Sequence, residues 1–142
     1  MSAPANAITR QQLLRQQALQ IPEISVTRNG VKVEGLTDKV IALAHACGWL
    51  VYHQRPARTG RGWRTAIQGD AGFPDLVLAR DQVTIDPNYR GRLIVAELKT
   101  EQGKLTQAQL EWIQALGLTH SIETYVWRPS DLLSGAIEEV LR

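Results

Sequence analysis

A single cysteine, Cys47, stands in the 142 residues. That excludes an intramolecular disulfide and any cysteine-based zinc site. Cys47 falls within an apolar helical pattern and reads as a small core residue, in keeping with a reducing, cytoplasmic setting. Charge of one sign is scarce as well: 16 basic and 14 acidic side chains leave a formal net charge of +2. A balance so near zero does not by itself indicate a nucleic-acid partner, so the distribution of charge has to carry that question. No apolar run reaches the length of a membrane span, and the first twenty residues are polar and glutamine-rich rather than signal-like. Membrane partners are therefore not expected. Repeats and low-complexity tracts are absent, and the length suits one compact domain without room for a second of useful size.

What is present reads as alternating elements. Residues 7–20 form a candidate polar helix ended by Ile21-Pro22. Two alternating runs, 24–28 and 31–34, flank Asn29-Gly30, a strong short-range hairpin signal. Thr37 is placed to cap a helix over about 38–47, with Gly48 as its stop and with Val40, Leu43, Ala44 and Cys47 on one face. Residues 49–53 read as a buried strand. The stretch 54–72 is long, polar and basic and reads as a loop, which at that length in a compact domain is functional or disordered. Residues 76–80 and 93–97 read as strands separated by a turn-like Asp86-Pro87-Asn88. Thr106 caps a helix to about Leu116, residues 122–127 form a last strand, and Ser130 caps a final helix to about Leu141. This order specifies an α/β fold, a mixed sheet of about four strands flanked by helices. Residues 34–142 form the domain proper, and residues 1–33 an N-terminal helix and hairpin extension.

Two short segments carry the chemistry: Gly72-Phe73-Pro74-Asp75 and Glu97-Leu98-Lys99. If the strands after Asp75 and up to Glu97 pair antiparallel with Arg80 opposite Arg92, Asp75 comes opposite Glu97. Their Cβ atoms are then about 4.5–5.5 Å apart. Alternation puts Lys99 on the face of Glu97 and turns Leu98 into the core. Two carboxylates so placed repel unless something positive lies between them. A hard divalent cation answers that, and Mg²⁺ or Mn²⁺ suits a site made only of oxygen ligands, with the Leu98 carbonyl as a further ligand. Lys99 would then orient or help deprotonate the attacking water and stabilise charge on a phosphate. Taken alone, Glu-x-Lys is a weak signal. It gains value because both acids end apolar strands and Pro74 follows a glycine.

Between Gln54 and Gln68 the chain has four arginines, Arg55, Arg58, Arg61 and Arg64, and no acid. Arginine is always charged at neutral pH and grips phosphate bidentately, and Trp63 among the glycines offers a stacking surface. A merely solvated loop is the alternative. His53, at the end of the strand before this loop, is either a phosphate contact or a hydrogen-bonded strand-end histidine. Lys104 is a candidate contact to the DNA backbone.

Gly72-Phe-Pro-Asp75, Glu97-Leu-Lys99 and the following Leu105-Thr-Gln-Ala-Gln109-Leu-Glu-Trp112 together resemble the motifs of the VRR-NUC branch of the PD-(D/E)xK nuclease superfamily, over about residues 36–128. Small stand-alone members of that branch are common in phages and bacteria. The resemblance implies a restriction-endonuclease-like core, Mg²⁺ or Mn²⁺ as cofactor, and hydrolysis of DNA phosphodiesters, with some relatives resolving branched DNA as homodimers. It implies Asp75 and Glu97 as metal ligands and Lys99 as the catalytic lysine. The family also carries an acid on its first helix. Here the candidates are Glu34 and Asp38, and neither falls cleanly in place. Gln109 matches a family glutamine that lies near the site, although Thr106 and Gln109 also have the spacing of a capping box. Trp112, with Leu116, reads as core. The expected function is metal-dependent DNA cleavage. A nuclease-like DNA-binding module without activity, or an interaction protein whose basic loop meets an acidic partner, are the competing readings.

Overall fold

The computed structural model describes residues 8–55, 57–64, 66–81, 88 and 90–142. Helix α1 (Arg10–Gln20) starts at Thr9, whose hydroxyl accepts from the Gln12 amide while the Gln12 side chain accepts from the Thr9 amide. Strands β1 (Val26–Arg28) and β2 (Val31–Val33) form the expected hairpin. Asn29 and Gly30 both take positive φ, 49° and 75°, as a tight two-residue connection requires.

Helix α2 (Leu36–Ala46) begins two residues earlier than Thr37 as its cap would allow. Gly35 is the N-cap, and Thr37 lies inside the first turn, where its hydroxyl donates to the Glu23 carbonyl at 2.8 Å. Strand β3 (Leu50–His53) follows. It is an edge strand with alternating burial, not the buried strand expected, because it pairs only with the strand on one side. The basic stretch after it is not simply a loop. It contains a small hairpin, β4 (Ala57–Thr59) and β5 (Gly62–Arg64), with Arg58 opposite Trp63.

The remaining elements are β6 (Leu76–Arg80), β7 (Arg92–Leu98), α3 (Gln107–Gly117), β8 (Ile122–Trp127), α4 (Pro129–Leu133) and α5 (Ala136–Leu141). The expected turn at Asp86-Pro87 lies outside the described residues. The expected single last helix is two, because Gly135 takes a left-handed φ of 85° and caps α5, while α4 starts at Pro129 with Arg128 rather than Ser130 as its N-cap.

The main sheet has the order β3-β6-β7-β8, with β8 parallel to β7 and the other pairs antiparallel. It is a four-stranded mixed sheet flanked by helices. One face packs Leu76, Leu78, Ile94, Ala96, Leu98 and Trp127 against Leu36, Val40 and Ala44 of α2 and Ile137 and Leu141 of α5. Leu43 and Cys47 are partly buried at the rim of this core. The other face carries α3, which packs over β8. The N-terminal extension is tied to the rest: α1 packs on α4, and the Pro22 and Glu23 carbonyls accept from the Leu36 and Thr37 amides. No helix among the described residues is long and apolar enough to cross a membrane.

Candidate active site

The antiparallel ladder of β6 and β7 runs from Arg80 opposite Arg92 to Leu76 opposite Ala96. One further step brings Asp75 to Glu97. The Asp75 carboxylate is held by its Oδ2, which accepts the Leu98 amide at 2.8 Å. The amide and carbonyl of one strand residue leave the same edge, so the Leu98 carbonyl points toward Asp75. By contrast, the Lys99 amide points the other way, to the Trp127 carbonyl at 3.0 Å.

Glu97 is 1% exposed, the one buried acid among the described residues, on the sheet face opposite the main core. Its Oε1 accepts from Gln109 Nε2 at 2.7 Å and from Lys99 Nζ at 3.1 Å. Its Oε2 is buried and has no hydrogen-bond partner among the described residues. Burial pushes the Glu97 carboxyl up to about 7, the charge of Asp75 pushes the same way, and Lys99 pulls against both. A buried carboxylate oxygen left unpaired is costly.

Why the chain folds this way locally is visible in the segment before Asp75. Gly72 has a φ of 95°, and a Cβ there would stand 2.6 Å from the Ala108 backbone carbon. Only glycine lets this segment lie against the start of α3. Phe73 then meets Trp112 edge to face, with centroids 5.0 Å apart, and the Trp112 indole N–H donates to the Ala71 carbonyl at 3.1 Å. Trp112 therefore pins the Gly72–Asp75 segment to α3 and is half-buried there, outside the main core in which it was expected. Gln109 makes two contacts at once. Its side-chain oxygen accepts the Thr106 amide at 2.9 Å as a capping box, and its nitrogen reaches Glu97.

The two candidates for the first-helix acid have partners other than Asp75, Glu97 and Lys99. Glu34 is exposed and pairs with Lys39 at 3.5 Å, and Asp38 accepts the Ser25 hydroxyl, which in turn accepts the Gly35 amide. A further carboxylate, Glu23, lies within electrostatic range of Asp75 and Lys99. Burial raises its carboxyl most, Asp75 raises it further and Lys99 lowers it, and Glu23 in turn raises Glu97. Glu23 was missed because it precedes the hairpin. It reaches the site through backbone bonds from Leu36 and Thr37 that bring residues 22 and 23 to the start of α2, and no spacing in the sequence signals those bonds.

The remaining candidates are spread out. His53 pairs with Leu76 and alternates with Tyr52, on the α2 face rather than that of Glu97. Arg55, Arg61, Arg64 and Lys104 are exposed, and Arg58 lies in β4.

Among the described residues no three histidine, cysteine or carboxylate side chains converge closely enough to enclose a metal by themselves. The donors present suit a hard cation held by few protein ligands, since Mg²⁺ typically takes one or two carboxylates and keeps several waters. Asp75, the unpaired Glu97 Oε2 and the Leu98 carbonyl form such a donor set, with Glu23 adding negative potential. Comparison with family models finds no match, and comparison with curated proteins and with solved structures finds none of significance.

Proposed function

We propose that this chain is a Mg²⁺- or Mn²⁺-dependent DNA endonuclease with a restriction-endonuclease-like core, hydrolysing phosphodiester bonds. The observation that carries the reading is the state of Glu97: buried, beside Asp75, one oxygen held by Lys99 and Gln109 and the other unpaired. As a purely structural group this arrangement is costly, because two acids and an orphaned oxygen gain nothing from each other. As a cation-binding site it is economical. A bound divalent ion supplies Lewis acidity toward a phosphate oxygen and lowers the pKa of a coordinated water.

The protein's own part follows from the positions. Asp75 is preset by the Leu98 amide, so no reorganisation is needed when a cation is bound. Lys99 Nζ stands 3.1 Å from Glu97 Oε1 and is largely shielded from solvent, with 12% of its side chain exposed. It brings positive charge to where a phosphate gains negative charge in the transition state. Gln109 of α3 donates to the same Glu97 oxygen. The arginines at 55, 58, 61 and 64 supply sequence-independent attraction to the backbone.

The test is incubation with a panel of end-labelled DNA structures, with Mg²⁺, with Mn²⁺ and with chelator. Divalent-dependent cutting is expected, and both Asp75→Ala and Lys99→Ala should abolish it while the protein stays folded. If both variants cut as the parent does, the assignment fails. If DNA binds with strong salt dependence and no cutting occurs with either ion, the chain is an inactive binding module.

A further inference from the structure

One surface beside the site is left over by this account. The face of the main sheet that carries Glu97 is covered by α3 over β8 and, through Gln109, over Glu97 of β7, where Val95 is 3% exposed. At the opposite edge, β3 presents Leu50 at 77% and Tyr52 at 60% exposure on that same face. The face is set by alternation: Val51 packs against the core on the α2 side, so its neighbours point the other way. Tyr52 is paired with Val77, which makes Asp75, the residue just before β6 and two before Val77, its diagonal neighbour on this face. Such diagonal positions lie about 7–8 Å apart and are within reach of aromatic side chains.

An exposed large apolar residue standing singly needs no explanation. Tyr52 differs in where it stands. It is an aromatic ring facing solvent one diagonal step from a candidate metal ligand. The strand that carries it ends two residues before the exposed Arg55, and the hairpin β4–β5 that follows in the sequence carries the exposed Arg61 and Arg64. Tyr52 thus stands between Arg55, three residues further along the chain, and the candidate carboxylate Asp75 across the β3–β6 pair. We infer that Tyr52 is a stacking platform for a nucleobase next to the scissile phosphate, and that the preferred substrate is DNA with an unpaired base at that point. This rests on the nuclease reading above and narrows its substrate class. In continuous duplex both faces of every base are covered by neighbours, whereas a single-stranded tail, flap or junction offers a free face to an aromatic side chain. Backbone attraction plus stacking gives affinity without sequence preference. A second copy of the chain pairing along the open edge of β3 is the competing occupant. It would show as a dimer of the free protein.

The experiment measures binding in chelator, so that no cleavage intervenes, to two oligonucleotides carrying 2-aminopurine: a duplex with an unpaired tail, the probe in the tail beside the junction, and the corresponding full duplex. Parent, Tyr52→Phe, Tyr52→Leu and Tyr52→Ala proteins are compared, and sedimentation of each reports association. The tailed probe should be quenched on binding to the parent and to Tyr52→Phe. Tyr52→Leu and Tyr52→Ala should lose the quench and bind the tailed DNA roughly five- to a hundredfold more weakly, the range that base–aromatic stacking spans, with duplex affinity unchanged. In Mg²⁺ the same variants should lose the preference for tailed over duplex DNA while still cutting. Equal binding and equal quenching by Tyr52→Ala would overturn the inference and leave the nuclease reading standing. Conversion from dimer to monomer in Tyr52→Ala, with DNA binding intact, would assign the face to self-association instead. Failure of the parent to bind either DNA would remove both.

Discussion

Gln109 caps its own helix and holds Glu97 with one side-chain amide: the oxygen accepts the Thr106 amide at 2.9 Å and the nitrogen donates to Glu97 Oε1 at 2.7 Å. The helix start and the acidic site are therefore mechanically one object. Gln109→Ala removes both bonds and is expected to cost about 1–2 kcal/mol of stability as well as most of the cleavage rate. Gln109→Glu keeps an oxygen for the cap but sets a carboxylate against Glu97. It should retain the helix start, measured by circular dichroism and urea unfolding, and still lose cleavage. Full activity in Gln109→Glu would show that the contact to Glu97 is incidental.

The raised Glu97 carboxyl makes stability depend on pH in a definite direction. The ordinary value is 4.5 and the folded value about 7, so without divalent ion the folded state keeps a proton that the unfolded chain gives up. The associated stability is fully present below the unfolded value and is lost as pH rises through about 7. Its ceiling is on the order of 3 kcal/mol, and Glu23, also raised, acts in the same sense. Unfolding in urea with chelator, from about pH 5 to about pH 8, should show that decline. Glu97→Gln should flatten it. Adding Mg²⁺ should stabilise the protein more at the alkaline end, because the ion binds the ionised carboxylates. Stability that rises with pH over this range in chelator would contradict the burial of Glu97.

The parts of this structure that sequence reveals are those set by local or pairwise rules. The Asn29-Gly30 hairpin follows from turn chemistry, and the Arg80–Arg92 register follows from strand alternation, which carries Asp75, Glu97 and Lys99 to one place. What sequence concealed depends on distant contacts. Glu23 reaches the site because residues 22 and 23 bond to Leu36 and Thr37. Glu34, nearer in sequence to the expected position, finds Lys39 instead. The exposure of Leu50 and Tyr52 is equally invisible, since an apolar strand looks the same whether its neighbour exists on both sides or on one. Trp112 keeps helical spacing with core residues, yet serves as the post for Phe73 and Ala71.

Gly72→Ala tests how tightly the segment before Asp75 must approach α3. The new Cβ would stand 2.6 Å from the Ala108 backbone carbon, at a backbone φ of 95°. The conformation alone costs on the order of 1–3 kcal/mol for a residue with a side chain, and the clash is with backbone, which cannot rotate away. Thermal unfolding should shift to lower temperature, and cleavage per folded molecule should fall as Asp75 moves away from Glu97. Gly30→Ala, with nothing within 4 Å of its added Cβ, is the control at a positive-φ glycine far from the site. It should lose stability from the conformation alone and keep cleavage per folded molecule. Equal loss of cleavage in both variants would mean that Gly72 has no particular link to Asp75.

Arg80 marks the opposite end of β6 and should separate stability from chemistry. Its guanidinium donates to the Cys47, Leu141 and Arg142 carbonyls at 2.8–2.9 Å and lies 4.5 Å from the centre of the Trp49 ring. The Trp49 indole N–H joins at the Leu141 carbonyl. One side chain thus ties the end of α2, the sheet and the C-terminus together. Arg80→Ala leaves the Cys47 and Arg142 carbonyls without that donor, and hydrogen bonds to a charged group contribute about 1.5–3 kcal/mol. The midpoint of urea unfolding should drop by an amount of that order. Arg80→Lys should recover little, because an ammonium lacks the planar fork that serves three acceptors at once. Cleavage per folded molecule should stay at the parent level in both variants, since three strand residues separate Arg80 from Leu76, the residue after Asp75. Lost cleavage in fully folded Arg80→Lys would show that the far end of the sheet also sets the geometry of Asp75 and Glu97.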